Sequence, residues 1–310
     1  LFYIASMTKA ITSLAALQCV DAGLLELDAP IASVLPSLDA APVLKGYANN
    51  GEAILQPSTQ PITLRHLLTH SSGLAYTTWN PELFAYRQRH PQARPIAGPT
   101  LRLSAPLVSE PGQRWQYSTS TDFVGLAVEA VSGMRLGDYF AKYIFTPLAM
   151  HNSFYVPPAS HRARIAIRYQ RLHDGSLQPE PSPVFDENAL HGGGGGLYST
   201  AEDYAKFLQA LLQMETTPEA SPEQLLAPAT WRQMRTNQIG SLIAGGLPSS
   251  EPQRSHSVHF MADHAPGFSY GLLVNARAVA DARGANGLAW AGLYNSYFWL
   301  DPQRNQAGAL

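Results

Sequence analysis

The sequence predicts an α/β chain of the α+β kind, in which an antiparallel sheet at the termini packs against a largely helical stretch. Three observations carry this. Helical spacing dominates from about residue 8 to about residue 240, and branched and aromatic residues with strand character gather from about 265 to 310. No regular alternation of strand and helix appears, which argues against a doubly wound parallel sheet. The expected organisation is a single domain over residues 1–310, the helical region at about 8–240 set against the β region at about 265–310.

The elements follow in order. "TKAITSLAALQCVDA" (8–22) places Ile11, Leu14, Ala15, Cys19 and Val20 at helical spacing, and Gly23 stands where a helix stop is expected. "TLRHLLTHSSGL" reads as a short helix and a loop. "TSTDFVGLAVEAVSG" has helical periodicity, hydroxyl residues to cap its start and Gly133 to end it. "RLGDYFAKYIFTPL" gives another helix, broken at Pro147. "IAIRYQRLHDGSLQPE" reads as a hairpin turning on Asp174-Gly175. "YSTAEDYAKFLQALLQM" is a helix in which Ser199 and Glu202 have capping-box spacing. "SYGLLVNARAV" and "GLAWAGLYNSYFWLD" read as strands. The only notable low-complexity tract is the glycine run 192–196.

Composition narrows the function classes. A net charge of −2 gives no reason to expect a nucleic-acid or anionic-membrane partner, and 14% charged residues is low against the usual quarter. Cys19 is the single cysteine, which excludes an internal disulfide and leaves a buried small hydrophobe as its expected role. No apolar run approaches the ~18 residues of a membrane span. The chain opens at Leu1 without an initiator methionine and stops in "NQAGAL", which reads as the middle of a strand, so trimming at both ends is expected. The compartment stays open, with a cytoplasmic one favoured over a periplasmic or secreted one.

Two serines compete for chemistry. "GFSYG" (267–271) fits G-x-S-x-G, the strand-to-helix elbow that lifts a nucleophile above a sheet, and "HGGGG" (191–195) resembles the oxyanion loop of esterases with that fold. The context is wrong. The approach "MADHAPG" is interrupted by Asp263, His264 and Pro266, and no histidine follows His264 to serve as base. Ser269 is therefore expected to be a strand residue. His191 heads the glycine run, but no second ligand stands at metal spacing, and a loop histidine is the expected role. At the other end, "SMTK" places Ser6 and Lys9 one turn apart on one face at the entry to the first helix. A serine hydroxyl is a weak nucleophile until a neighbour takes its proton, and a lysine does so when kept partly neutral. Capping by Ser6 beside a solvated Lys9 would show the same letters, so the motif alone does not decide.

Together with "GLLELDAPIASVLP" and "ITLRHLLTHSSGL", this stretch closely resembles the serine β-lactamase and penicillin-binding-protein superfamily. Within it the chain looks most like the family VIII carboxylesterases and related acyltransferases, which share the class C β-lactamase fold. The resemblance runs from Ala5 to Asp301. It implies a β-lactamase/transpeptidase-like fold and a serine hydrolase of carboxylic esters working through an acyl-enzyme, with acyl transfer to alcohols as a companion activity. "PGQRWQYSTSTDFVG" supplies Tyr117-Ser118-Thr119 for the family's tyrosine motif, and "AWAGLYNSYFWLDP" supplies Trp290-Ala291-Gly292 for its edge-strand motif. The implied catalytic residues are Ser6, Lys9 and Tyr117, the last a general base if Lys9 stabilises its phenolate. The implied oxyanion donors are the backbone N–H groups of Ser6 and Leu293. Tyr76, Thr119, Trp290, Ala291 and Gly292 are the implied substrate-binding residues; for Tyr76 the alternative is an ordinary half-buried loop aromatic. The glycine run matches a structural loop of the family, with no catalytic role implied.

The departures are informative. β-Lactamases attract a drug carboxylate with the lysine of K-T-G, where this chain has Trp290, and hold the substrate amide with the asparagine of Y-x-N, where it has Thr119. Both changes favour a neutral ester or thioester. A β-lactamase or D-amino-acid peptidase of the same fold, and a catalytically silent binding member, are the alternatives. No cofactor or metal is expected. The expected partner is a small-molecule ester, without nucleic acid or membrane, and the oligomeric state is open.

Overall fold

A computed structural model describes residues 1–91, 103, 105–172, 174–214, 224–260, 264–280 and 282–310. Its helices are α1 (Thr8–Asp21), α2 (Leu64–Leu68), α3 (Pro81–Arg89), α4 (Ser120–Ser132), α5 (Leu136–Phe140), α6 (Ala159–Arg162), α7 (Ala201–Gln213) and α8 (Pro228–Met234). Helix α1 is the axis of the core. Every residue from Thr8 to Leu17 is buried, so this helix is enclosed on all sides rather than amphipathic as its spacing suggested. Each of its buried leucines, Leu14 and Leu17, contributes roughly 1.5–3 kcal/mol of burial. Cys19 is buried, and its Sγ lies 3.6 Å from the Tyr139 hydroxyl. Gly23 ends the segment in the left-handed region, φ 69°, and Gly133 closes α4 in the same way at φ 67°. Helix α5 passes into a wider π turn over Ala141–Phe145 and stops short of Pro147.

The strands are β1 (Phe2–Tyr3), β2 (Pro42–Tyr47), β3 (Ala53–Pro57), β4 (Tyr169–Arg171), β5 (Leu177–Pro179), β6 (Tyr198–Ser199), β7 (Gly246–Leu247), β8 (Val258–His259), β9 (Gly267–Phe268), β10 (Leu273–Val274), β11 (Leu288–Gly292), β12 (Ser296–Asp301) and β13 (Gln306–Ala309). The last five form one antiparallel sheet in the order β13-β12-β11-β10-β9. The sheet expected at the termini is thus carried by the C-terminal end, while β1 pairs with β6. The hairpin expected at Asp174-Gly175 forms as β4 and β5. "GLAWAGLYNSYFWLD" folds back on itself as β11 and β12, turning where Asn295 takes φ 58°.

Two readings change. Ser269 is not in a strand: it lies in the turn between β9 and β10, where its N–H donates to Leu272 O at 2.8 Å. Gly271 takes φ 82° in that turn and its N–H donates to Leu68 O, docking the hairpin on α2. Asp263, part of the interrupted approach, lies outside the described residues. The cap of α7 is also displaced by one residue. Thr200 is the N-cap and its Oγ1 accepts from Asp203 N–H at 3.1 Å. Ser199 is occupied in β6, and its hydroxyl bonds the Ser153 hydroxyl at 2.9 Å.

Loss of that cap has a measurable consequence. Thr200→Ala is expected to cost about 1 kcal/mol in urea unfolding, whereas Glu202→Ala changes stability by less than about 0.5 kcal/mol. A larger loss from Glu202→Ala would restore the Ser199–Glu202 box.

Candidate active site

Ser6 sits in a single 3-10 turn, Ala5–Met7, immediately before α1. Ala5 holds φ 43°, a left-handed conformation that costs a residue with a Cβ of order 1–3 kcal/mol and clusters at functional sites. The turn is fixed from several sides. Ile4 N–H donates to Leu197 O at 3.0 Å, and the Tyr204 hydroxyl donates to Met7 O at 2.9 Å. Lys9 follows in the first turn of α1 and is 0% exposed. Its Nζ donates to Ser6 Oγ at 3.2 Å, to Tyr76 Oη at 3.2 Å and to Gly194 O at 2.5 Å. A solvated Lys9 is therefore excluded, and all three ammonium hydrogens have acceptors.

Two tyrosines flank this amine. The hydroxyl bonded to Lys9 belongs to Tyr76, while the Tyr117 ring presents its face, its centroid 4.9 Å from Nζ. Tyr117 Oη accepts from Trp290 Nε1 at 3.3 Å, a donor aimed at the atom that carries charge when Tyr117 is a base. Burial pushes the Tyr76 hydroxyl well above the ordinary tyrosine range, with Asp122, Tyr117 and Tyr3 adding to the shift, so Tyr76 stays a neutral phenol. Behind Tyr117, the Ser118 hydroxyl joins His70 Nδ1 at 3.0 Å and Ser120 Oγ at 2.6 Å, and Ser120 continues to Ser72 at 2.7 Å. Thr119, half-buried, is the residue before α4.

The edge of the sheet meets the serine turn. A Cβ on Gly292 would collide with the Ile4 carbonyl and with Ser296 Oγ, so only glycine lets β11 approach this closely. Leu293, the next residue, opens the turn to β12 and is exposed. Trp290 is buried and Ala291 half-buried on β11. Ser6, Lys9, Tyr76, Tyr117, Trp290 and Gly292 thus come together. Ser269 is fully buried, with its hydroxyl donating to Leu272 O. His191 stacks on Tyr155 at 4.3 Å and accepts from Gly137 N–H, and burial followed by Arg135 lowers it to about 4. Among the described residues no group of three or more potential ligands is placed to hold a metal, and no helix is long and apolar enough to cross a membrane.

The family resemblance implied no catalytic role for the glycine run, yet among the described residues it supplies the shortest hydrogen bond of Lys9 Nζ, to Gly194 O at 2.5 Å. Gly194 O accepts from Nζ, Gly193 O accepts from Thr12 Oγ1 at 2.7 Å, and Gly194 N–H donates to Asp122 Oδ1 at 2.8 Å. A Cβ on Gly194 would stand 2.9 Å from both carboxylate oxygens of Asp122. Five consecutive glycines were the available signal; Asp122 had none.

The sequence profile of the beta-lactamase family matches residues 1–310. The chain belongs to the beta-lactamase family. This beta-lactamase family chain is 33% identical over 321 residues to "Acyltransferase calJ" of Penicillium decumbens, covering 98% of itself and 73% of that protein. It is 31% identical over 326 residues to "Lovastatin esterase" of Penicillium rubens, covering 99% of itself and 77% of the relative. Among solved structures it superposes on unliganded simvastatin synthase (LovD) of Aspergillus terreus with a TM-score of 0.82 at 29% identity, covering 99% of this chain and 77% of that one. The beta-lactamase-like fold expected from the sequence stands, as does the serine hydrolase reading, with esterase and acyltransferase the activities for which the relatives are named.

His70 gives this beta-lactamase family member a pH signature. Burial, followed by the nearby Lys9, holds its imidazole well below the ordinary 6.5, and Nε2 has no hydrogen-bond partner among the described residues. The native state therefore refuses a proton that the unfolded chain accepts as pH falls through 6.5, and stability is lost on the acid side. From pH 7.5 to 5.5 this single group should remove about 1.4 kcal/mol. Urea unfolding of wild type and His70→Asn, which tolerates the left-handed φ of 56° at this position, should differ by that slope. Parallel losses in the two proteins would refute the assignment.

Proposed function

We propose that residues 1–310 act as one catalytic unit in which Ser6 attacks the carbonyl of a small neutral ester or thioester. The observation that carries this reading is the buried Lys9 Nζ at 3.2 Å from Ser6 Oγ. The same three contacts serve both protonation states of the amine. As ammonium, Lys9 donates to Ser6, Tyr76 and Gly194. As a neutral amine, it keeps two N–H bonds on Tyr76 and Gly194 and turns its lone pair to the Ser6 hydroxyl.

The Ser6 Oγ–carbonyl bond forms as Lys9 takes the hydroxyl proton, and the N–H groups of Ser6 and Leu293 receive the oxyanion. The C–O or C–S bond to the leaving group then breaks, and the proton returns to that group by way of Lys9 and Tyr117. Water or a second alcohol then attacks the acyl carbon, the bond to Ser6 Oγ breaks, the proton of the attacking hydroxyl passes to Ser6, and acid or new ester leaves. Tyr76, held neutral, orients Lys9. Trp290 and Thr119 line the acyl side together with Ala291 and Gly292. The aromatic wall continues through Trp79, 5.3 Å from Tyr117, and Phe260, 5.4 Å from Trp290, which suits an apolar acyl group. The relatives named for acyl transfer and for lovastatin ester cleavage support an alcohol partner of small-molecule size.

Stopped-flow kinetics with p-nitrophenyl butyrate should show a burst of one equivalent in wild type. Ser6→Ala should abolish the burst and lower turnover by at least about 10³-fold, and Lys9→Ala by a comparable factor. Ser269→Ala should retain activity within about twofold. Full activity in Ser6→Ala, or its loss in Ser269→Ala, would overturn the reading.

A further inference from the structure

Between Lys9 and the start of α4 lies a connection that the reaction as written leaves unused. Asp122 stands in the first turn of α4 and accepts Gly194 N–H on Oδ1 at 2.8 Å, while the carbonyl of the same residue accepts Lys9 Nζ at 2.5 Å. Carboxylate, residue 194 and amine are therefore joined by hydrogen bonds, which fix the two peptide groups on either side of the Gly194 Cα. The contact is close: a Cβ on Gly194 would stand 2.9 Å from both carboxylate oxygens and push the Asp122 side chain aside, and one on Gly192 would reach Oδ1 at 3.1 Å. Gly193 is pinned in turn between Thr12 on α1 and the carbonyl of Thr121 on α4. The run is wrapped around Asp122 and pressed on Lys9.

We infer that Asp122 is a positioning residue for Lys9: through Gly194, its carboxylate holds the amine on Ser6 and stabilises the ammonium that forms when Ser6 gives up its proton. The logic is that of an acid orienting the base of a nucleophile, with backbone amide and carbonyl interposed. The inference rests on Ser6 and Lys9 as the reacting pair. The groups facing this relay are Tyr76, Tyr117 and His70 around Lys9, and Tyr3, Tyr76 and Tyr155 around Asp122. Burial holds Tyr3, Tyr76 and Tyr155 above the ordinary tyrosine range and His70 below the ordinary histidine range, so none of these four competes with the attraction between Lys9 and Asp122. Burial raises the Asp122 carboxyl, and Lys9 and the Gly194 N–H draw it back.

Asp122→Asn keeps an oxygen for Gly194 N–H and removes the charge. Lys9 must be neutral to take the proton, so the acid limb of kcat/KM for p-nitrophenyl butyrate should move to lower pH, by about half a unit or more, with kcat falling several-fold. Gly194→Ala, which breaks the link but keeps Asp122, should move the limb in the same direction and serves if Asp122→Asn does not fold. Thermal unfolding reports whether each variant is native. Fluorophosphonate labelling of wild type, mapped to Ser6 by mass spectrometry, tests the reacting pair separately. Labelling at Ser6 with an acid limb unmoved in the folded variants overturns the role of Asp122. Labelling elsewhere overturns the reacting pair instead.

Discussion

A fully buried lysine amine is the constraint on which this molecule is built. Moving an unpaired charge into a protein interior costs several kcal/mol or more, so Lys9 is tolerable only where acceptors and a counter-charge are supplied. Ser6, Tyr76 and Gly194 supply the acceptors, the Tyr117 ring offers its face, and Asp122 provides the negative charge one residue away. None of these can be placed without the fold. Helix α1 must be enclosed on every side to bury Lys9, and α4 must cross it closely enough to bring Asp122 and the tyrosine motif into register.

The second constraint is the approach of the sheet edge to the serine turn. Residues 1–9 and 288–301 lie at opposite ends of the sequence, and they touch at Gly292 against Ile4, at Ser296 against the Ile4 carbonyl and at Tyr294 against Tyr3. The hairpin of β11 and β12 brings Trp290 to Tyr117 and Gly292 against the carbonyl of Ile4, two residues before Ser6. On the proposed reading, Ser6 on its strained turn and the amide of Leu293 would address one carbonyl from two sides. The site is a seam between the helical and the β portions, which explains why neither portion alone presents it.

Much of this was legible in the letters. The spacing of Ser6 and Lys9 alone did not decide between a cap and a nucleophile, and the family resemblance singled them out together with Tyr117 and Trp290-Ala291-Gly292. The misreadings share a physical origin in tertiary competition. Ser199-Thr200-Ala201-Glu202-Asp203 contains two overlapping capping boxes, and the choice fell to Thr200 because β6 and Ser153 had claimed Ser199. Ser269 read as a strand residue because its neighbours are branched and aromatic, whereas Gly271 turns the chain there to dock on α2. Asp122 and Gly194 stayed invisible for a different reason: the bond from Lys9 to Gly194 spans 185 residues of sequence, and no local pattern encodes such a pairing.

The charge balance at Lys9 also bears on what the cleft accepts. At the position where a β-lactamase carries a second cation, this chain has Trp290, and its indole N–H is committed to Tyr117. Lys9 is already matched by Asp122, so an incoming carboxylate would find aromatic faces and no unneutralised cation among the groups that face the amine. Such an anion would lose its hydration without compensation, at a cost of several kcal/mol. A neutral ester or thioester loses little on entering the same surface and presents its carbonyl to Ser6. On the proposed reading, a preference for uncharged acyl donors would follow from this pairing of Lys9 with Asp122.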